Sequence, residues 1–174
     1  MKRPIAPILA ALVAVAPAQA GAEMLLDSHS LDVRRIHLDT GPACEVIFTN
    51  ASHDTMHVVF FPRGGIAVAF RFVPAWDHYP QNFEAYSFIP IVDRDDQAAF
   101  DGTWQDTGGI TSVRYAFDED FGPDPAHFVR ELELGRRFHL DRIGYRGVVD
   151  NVGTWSLSSS TRAIGLAMDC AGWP

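Results

Sequence analysis

The sequence predicts an α+β fold, a mostly antiparallel β-sheet or sandwich with two short C-terminal helices packed on it. Three observations lead there. Short apolar alternations separated by tight turns fill the first two-thirds of the chain, helical periodicity is confined to the last third, and no βαβ rhythm occurs. The composition agrees, since 47% hydrophobic and 21% charged residues among 174 suit a folded domain. They exclude a disordered, collagen-like or coiled-coil chain.

Residues 1–20 stand apart from the rest. Met1, Lys2 and Arg3 make a positive start, Ile5 to Ala16 is an uncharged apolar run interrupted by Pro7, and Ala18-Gln19-Ala20 is an A-x-A cleavage signal. This is the pattern of a secretory signal peptide. The apolar run falls short of the ~20 residues that span a bilayer. Gly21, not Cys, follows the cut, which argues against a lipid anchor. Residues 21–174 are expected to form a single exported domain, periplasmic or secreted, with no membrane insertion after cleavage.

Strands come first in that domain. Cys44 to Thr49 alternates, with Cys44, Val46 and Phe48 on one side of a pleat. Asn50 to Asp54 is a turn by composition, and Thr55 to Phe61 is the next strand, closed by Pro62 and Gly64-Gly65. Ile66, Val68, Phe70 and Phe72 alternate with Ala67, Ala69 and Arg71 in a third strand, completing an antiparallel meander. Phe83 to Val92 and Thr111 to Phe117 are further strands.

The last third changes period. Asp124-Pro125 reads as an N-cap followed by proline at the first helical position. Phe128, Val129 and Leu132 fall on one helical face, and Gly135 is the stop. Phe138 and Leu140 alternate with polar neighbours as a strand. A turn-rich stretch, Gly144 to Gly153, leads to a strand over Thr154 to Leu157. Ser158 to Thr161 offers capping hydroxyls for a final helix whose apolar face is Ala163, Ile164, Ala167 and Met168.

The two cysteines, Cys44 and Cys170, lie in predicted elements of the exported part, and an even count in an oxidising compartment points to a disulfide. Lys2 is the only lysine, so removing the signal leaves 12 arginines against 22 acidic residues, a net charge of −10. A field of that sign repels phosphate backbones and anionic lipid, which excludes nucleic acid as a partner. The lack of lysine excludes Schiff bases, Ser-Lys dyads and P-loop phosphate binding.

The run His127 to Phe138, followed by Trp155-Ser156-Leu157-Ser158-Ser159-Ser160-Thr161-Arg162-Ala163-Ile164 and then Cys170, resembles the C-terminal part of small exported alphaproteobacterial proteins related to invasion-associated locus B. Their pattern is a helix ending in Gly, a strand, "S-L-x-G-S/F-x-A-L" and a terminal Cys. Ser159 stands here where that pattern has Gly, and the further cysteines often seen in those proteins are missing. The resemblance covers about a quarter of the chain. It implies a structural module and carries over no catalytic residue.

Three local clusters carry residue types suited to chemistry. His53, Met56 and His57 combine imidazole with thioether, the donors that suit copper. On a strand, however, Met56 and His57 point to opposite faces, and no further ligand sits at metal-site spacing, so the segment reads as a surface turn entering a strand, with one turn histidine and one strand histidine. Asp93-Arg94-Asp95-Asp96 opens like a calcium loop, but that loop then needs Asp or Asn at 97, Gly at 98 and Glu at 104, where the chain has Gln97, Ala98 and Trp104, so it reads as a solvated turn. Pro74 to Phe83 is the third, a proline-bounded loop presenting Trp76, His78 and Tyr79 as a rigid aromatic edge for a protein or carbohydrate partner. The alternative is that Trp76 and Tyr79 fold back onto the sheet.

No G-x-S-x-G, H-E-x-x-H, C-x-x-C or G-x-G-x-x-G occurs. The expected function is a non-enzymatic exported binding or interaction protein of the bacterial cell envelope, without a cofactor. The alternatives are a small periplasmic hydrolase with a dispersed site, in which His57, Asp77 and His78 would be the first suspects, and a periplasmic copper-binding protein.

Overall fold

A computed structural model describes residues 22–38, 41–62, 64–73, 85–93, 95–96, 100–103, 105–106, 111–117, 124–143 and 149–173. Its strands are β1 (Glu23–Leu26), β2 (Leu31–Leu38), β3 (Gly41–Thr49), β4 (Thr55–Phe60), β5 (Ile66–Phe72), β6 (Ala85–Val92), β7 (Asp95–Asp96), β8 (Phe100–Thr103), β9 (Gln105–Asp106), β10 (Thr111–Phe117), β11 (Arg137–Ile143) and β12 (Val149–Ser156). Helix α1 (Pro125–Leu134) precedes β11, and α2 (Ser160–Ala171) follows β12.

The strands form two sheets. The first runs β1-β2-β3-β4-β5-β10-β9 and the second β12-β11-β6-β7, with β8 also pairing β6. Every one of these pairings is antiparallel. The fold is the α+β sandwich the sequence predicts.

Alternation decides what each strand buries. Val46 and Phe48 of β3, Met56, Val58 and Phe60 of β4, and Ile66, Val68, Phe70 and Phe72 of β5 share one core cluster. Phe138 and Leu140 of β11, Trp155 of β12, and Phe128, Val129 and Leu132 of α1 complete it. Phe70 stacks on Phe138 at 5.7 Å and packs on Trp155 at 5.4 Å, so aromatic rings join the two sheets. Helix α2 lies over β2, β3 and β4 of the same inner face, burying Ala163, Ile164 and Ala167. The Cys44–Cys170 disulfide, with a Cα separation of 6.0 Å, ties α2 to β3.

Helix α1 starts as the sequence dictates, with the Asp124 carboxylate accepting the Ala126 amide at 3.0 Å ahead of Pro125. Its end is close-packed. A Cβ on Gly135 would collide with Val92 and stand 2.8 Å from the Glu131 carbonyl, so only glycine fits there.

Several features differ from the sequence expectations, among them the short strands β7, β8 and β9, which have no predicted counterpart. Strands β1 and β2 were not anticipated, because the adjacent Arg34 and Arg35 break the apolar alternation of β2. Strand β12 begins at Val149, inside the stretch read as turns, because it is a sheet edge whose exposed Val149, Asp150 and Asn151 carry no apolar pattern. It is also bulged. Leu140 pairs with Gly153 but Asp141 with Asn151, which leaves Val152 as the extra residue. Finally, the hydroxyls at the start of α2 do not cap that helix. Ser160 and Thr161 instead donate to the Glu133 carbonyl at 3.3 and 2.8 Å, satisfying the end of α1. Ser159, the N-cap of α2, makes no side-chain cap bond and has φ 69°, in the left-handed region.

Candidate functional site

Two regions gather polar groups. The first is a polar cleft of about 300 Å³ where the β3–β4 turn meets the bulged part of β12, lined by Asn50, Ser52, Asp54, Asn151, Gly153 and Thr154 among others. Its floor is built by Asp54. The Asp54 carboxylate accepts the Val73 amide at 2.9 Å and the Asn50 side-chain amide at 3.1 Å, and its carbonyl accepts the Trp155 indole N–H at 3.1 Å. The Asn50 side-chain oxygen accepts the amides of Ser52 and Asp54, both at 2.9 Å, which closes the turn.

Across the cleft, Asn151 donates to the Asp141 carboxylate at 2.8 Å, and Thr154 donates to Asn151 at 3.3 Å and meets His139 Nδ1 at 2.9 Å. The floor is therefore saturated and rigid, while Ser52, Asn151 and Thr154 are exposed at the rim. The cleft suits a polar, uncharged or weakly charged partner group.

The second region is on the outer face of the first sheet. Residues of β2, β3 and β4 that alternation turns away from the core are Arg34, Glu45, Thr55 and His57. Glu45 and His57 are only 4% and 6% exposed. His57 Nδ1 lies 2.7 Å from Glu45 Oε1, and His57 Nε2 lies 2.8 Å from Thr55 Oγ1. Arg34 Nε approaches Glu45 Oε2 at 3.1 Å, an ion-pair contact whose geometry falls outside that of a hydrogen bond.

Burial alone would push the Glu45 carboxyl up. The hydrogen bond from His57 and the nearby positive charges, Arg34 and Arg71 among them, outweigh it and hold the carboxyl below its ordinary value of 4.5. Apolar Ala43, Val59 and Ala67 are buried on this same face.

The sequence-predicted residues fall as follows. Cys44 and Cys170 are bonded. His53 sits exposed in the turn with φ 66°, Met56 is fully buried in the core, and His57 is on the opposite face of β4 from Met56. The three do not converge. His53 in a turn and His57 on a strand are where the sequence puts them, but His57 is not at the surface: its ring is buried between Glu45 and Thr55. Among the described residues no group of three His, Cys, Asp or Glu side chains is placed to hold a metal ion.

Asp93 is exposed, but its carboxylate is not left to solvent. It accepts the amides of Arg136 and Arg137 at 3.0–3.2 Å and fixes the α1–β11 junction. Trp76, Asp77, His78 and Tyr79 lie outside the described residues.

Sequence reasoning missed Glu45, Thr55 and Arg34 as a group because their meeting depends on register. Glu45 stands opposite Arg34 and Val59, and His57 opposite Ile47, one diagonal step from Glu45. A signal was present all the same. The outward positions of β3 and β4 include Ile47 and Val59, too apolar for a solvated face.

A disulfide belongs to oxidising compartments outside the bacterial cytosol. Among the described residues no helix is long and apolar enough to cross a membrane. No protein-family model and no curated protein matches the chain. Among solved structures it is similar to invasion associated protein B from Bartonella henselae, with a TM-score of 0.54 and 12% identity over 82% of this chain and 95% of that one. At that identity the likeness concerns the architecture. The expectation raised by the C-terminal quarter therefore holds at the level of the fold, which this chain shares with the Bartonella protein.

Proposed function

We propose that this chain is an exported binding protein of the bacterial cell envelope, periplasmic or secreted, whose main work is recognition of a protein or carbohydrate partner. The observation that carries this reading is the polar cleft between the β3–β4 turn and β12. Its Asp54 anchors the amide of Val73, the residue from which the Pro74 to Phe83 segment departs. Trp76, His78 and Tyr79 follow Val73 closely in the sequence, and their residue types are those that anchor a partner. The disulfide supports an oxidising location, and the fold is shared with a protein named for invasion.

Immobilised protein exposed to an envelope extract, followed by thermal melts, tests the reading. Trp76→Ala should abolish capture of the partner while leaving the melting temperature nearly unchanged, a loss of about 2 kcal/mol or more in binding. A drop in stability of about 3–5 kcal/mol, the cost of removing a buried aromatic, would instead make Trp76 part of the core and overturn the assignment.

A further inference from the structure

Binding at the cleft leaves the outer face of the first sheet unused. Thr55 and His57 are two residues apart on β4 and therefore face the same way. The threonine hydroxyl meets His57 Nε2 at 2.8 Å, and Nδ1 of the same ring meets Glu45 Oε1 at 2.7 Å. An ionised carboxylate only accepts, so Nδ1 carries the hydrogen. In the neutral ring Nε2 then holds its lone pair toward the hydroxyl and accepts its proton. The order is hydroxyl, base, orienting carboxylate, which is the arrangement that activates a hydroxyl nucleophile.

A fourth group completes it. Arg71 of β5 stands directly opposite Thr55 in the antiparallel register, so the two share a face and Arg71 brings a positive charge beside the hydroxyl. A cation so placed suits the negative charge that develops on a carbonyl oxygen under attack. Thr55 itself is only partly buried, whereas its base, His57, is 6% exposed.

We propose that Thr55, with His57 as its general base, is an acyl-accepting nucleophile that takes the acyl group of a small activated ester. Thr55 Oγ1 bonds to the carbonyl carbon as its proton passes to His57 Nε2. The carbon–oxygen bond to the alcohol then breaks, and the departing alkoxide takes that proton from Nε2. The products are the Thr55 ester and the free alcohol. Water attacking by the same route releases the acid and restores the hydroxyl.

Treating the full chain with p-nitrophenyl acetate tests this, reading nitrophenolate release together with peptide mapping of the acetylated protein. One acetyl group should map to the peptide containing Thr55 in the folded protein and be absent when the protein is treated in urea, where the geometry is gone. Thr55→Val should slow nitrophenolate release by about a hundredfold, the lower range for loss of general-base chemistry. Thr55→Ser, which keeps the hydroxyl, should retain acetylation at position 55. Equal labelling in the folded and unfolded protein, or an unchanged rate in a folded Thr55→Val protein, would overturn the proposal. Should Thr55→Val fail to fold, the folded-against-urea map of the parent decides alone.

Discussion

On the inner face of the first sheet Val46, Phe48, Met56, Val58 and Phe70 meet other apolar groups, whereas on the outer face Glu45 and His57 are buried beside Val59 and Ala67. Both faces of β3 and β4 exclude water, but by different means. The inner face is held by apolar area, which is non-directional and insensitive to charge state. On the outer face each ionised group must be matched by a partner, since an unpaired buried charge costs far more than an unpaired methyl. One sheet therefore carries a side that tolerates changes in pH and a side that depends on them.

The largest effect should come from the inner face. Trp155 is fully buried, touches Phe70, Phe72 and Phe138, and donates to Asp54. Trp155→Ala should cost about 3–5 kcal/mol in a denaturant titration. A smaller loss would show that the aromatic seam between the sheets is less important than its packing indicates. Reducing the Cys44–Cys170 disulfide should lower stability by about 2–4 kcal/mol and leave two titratable thiols, where the unreduced, unfolded protein should show none.

The outer face is probed by Glu45→Gln, which keeps the shape and removes the charge. It should destabilise by about 2 kcal/mol near neutral pH, the scale of hydrogen bonds to charged groups. Its pH signature matters more. Because the folded pKa of Glu45 lies below its ordinary value, the stability it contributes is fully present above about 4.5 and is lost as pH falls through the lower folded value. The parent should therefore weaken below pH 4.5 in acid melts, and Glu45→Gln should lack that component. An identical acid profile for both would remove the charge-based account of the outer face.

The smallest effect is a gain. A left-handed backbone costs a non-glycine residue about 1–2 kcal/mol, and glycine gives back part of that in chain entropy. Ser159→Gly should thus raise stability by about 1 kcal/mol in thermal melts. This chain bears that strain at Ser159, whose φ is 69°.

The inner face was legible in the sequence because alternation is local: Ile66, Val68, Phe70 and Phe72 reveal their strand without any knowledge of its neighbours. The helix over Pro125–Leu134 was legible for the same reason, from its cap and its apolar spacing. What escaped depends on pairing. Strand β2 pairs against β3 with two adjacent arginines, and β12 draws its order from β11 rather than from apolar residues of its own. Glu45 and His57 lie twelve positions apart and meet only through the β3–β4 register. Alternation puts them on the face away from Val46 and Phe48, and only the apolar character of Ile47 and Val59 marks that face as buried.

The disulfide also fixes an order of events. Cys170 leaves the ribosome after all the described strands, so the crosslink to β3 closes only once α2 has been made. Until then β2, β3 and β4 have no helix over their inner face, and an exposed apolar face of paired strands is prone to association with other chains. The newly made protein thus depends on its last helix to end that interval, and any delay in completing residues 160–171 lengthens the time during which it needs to be kept apart from its own copies.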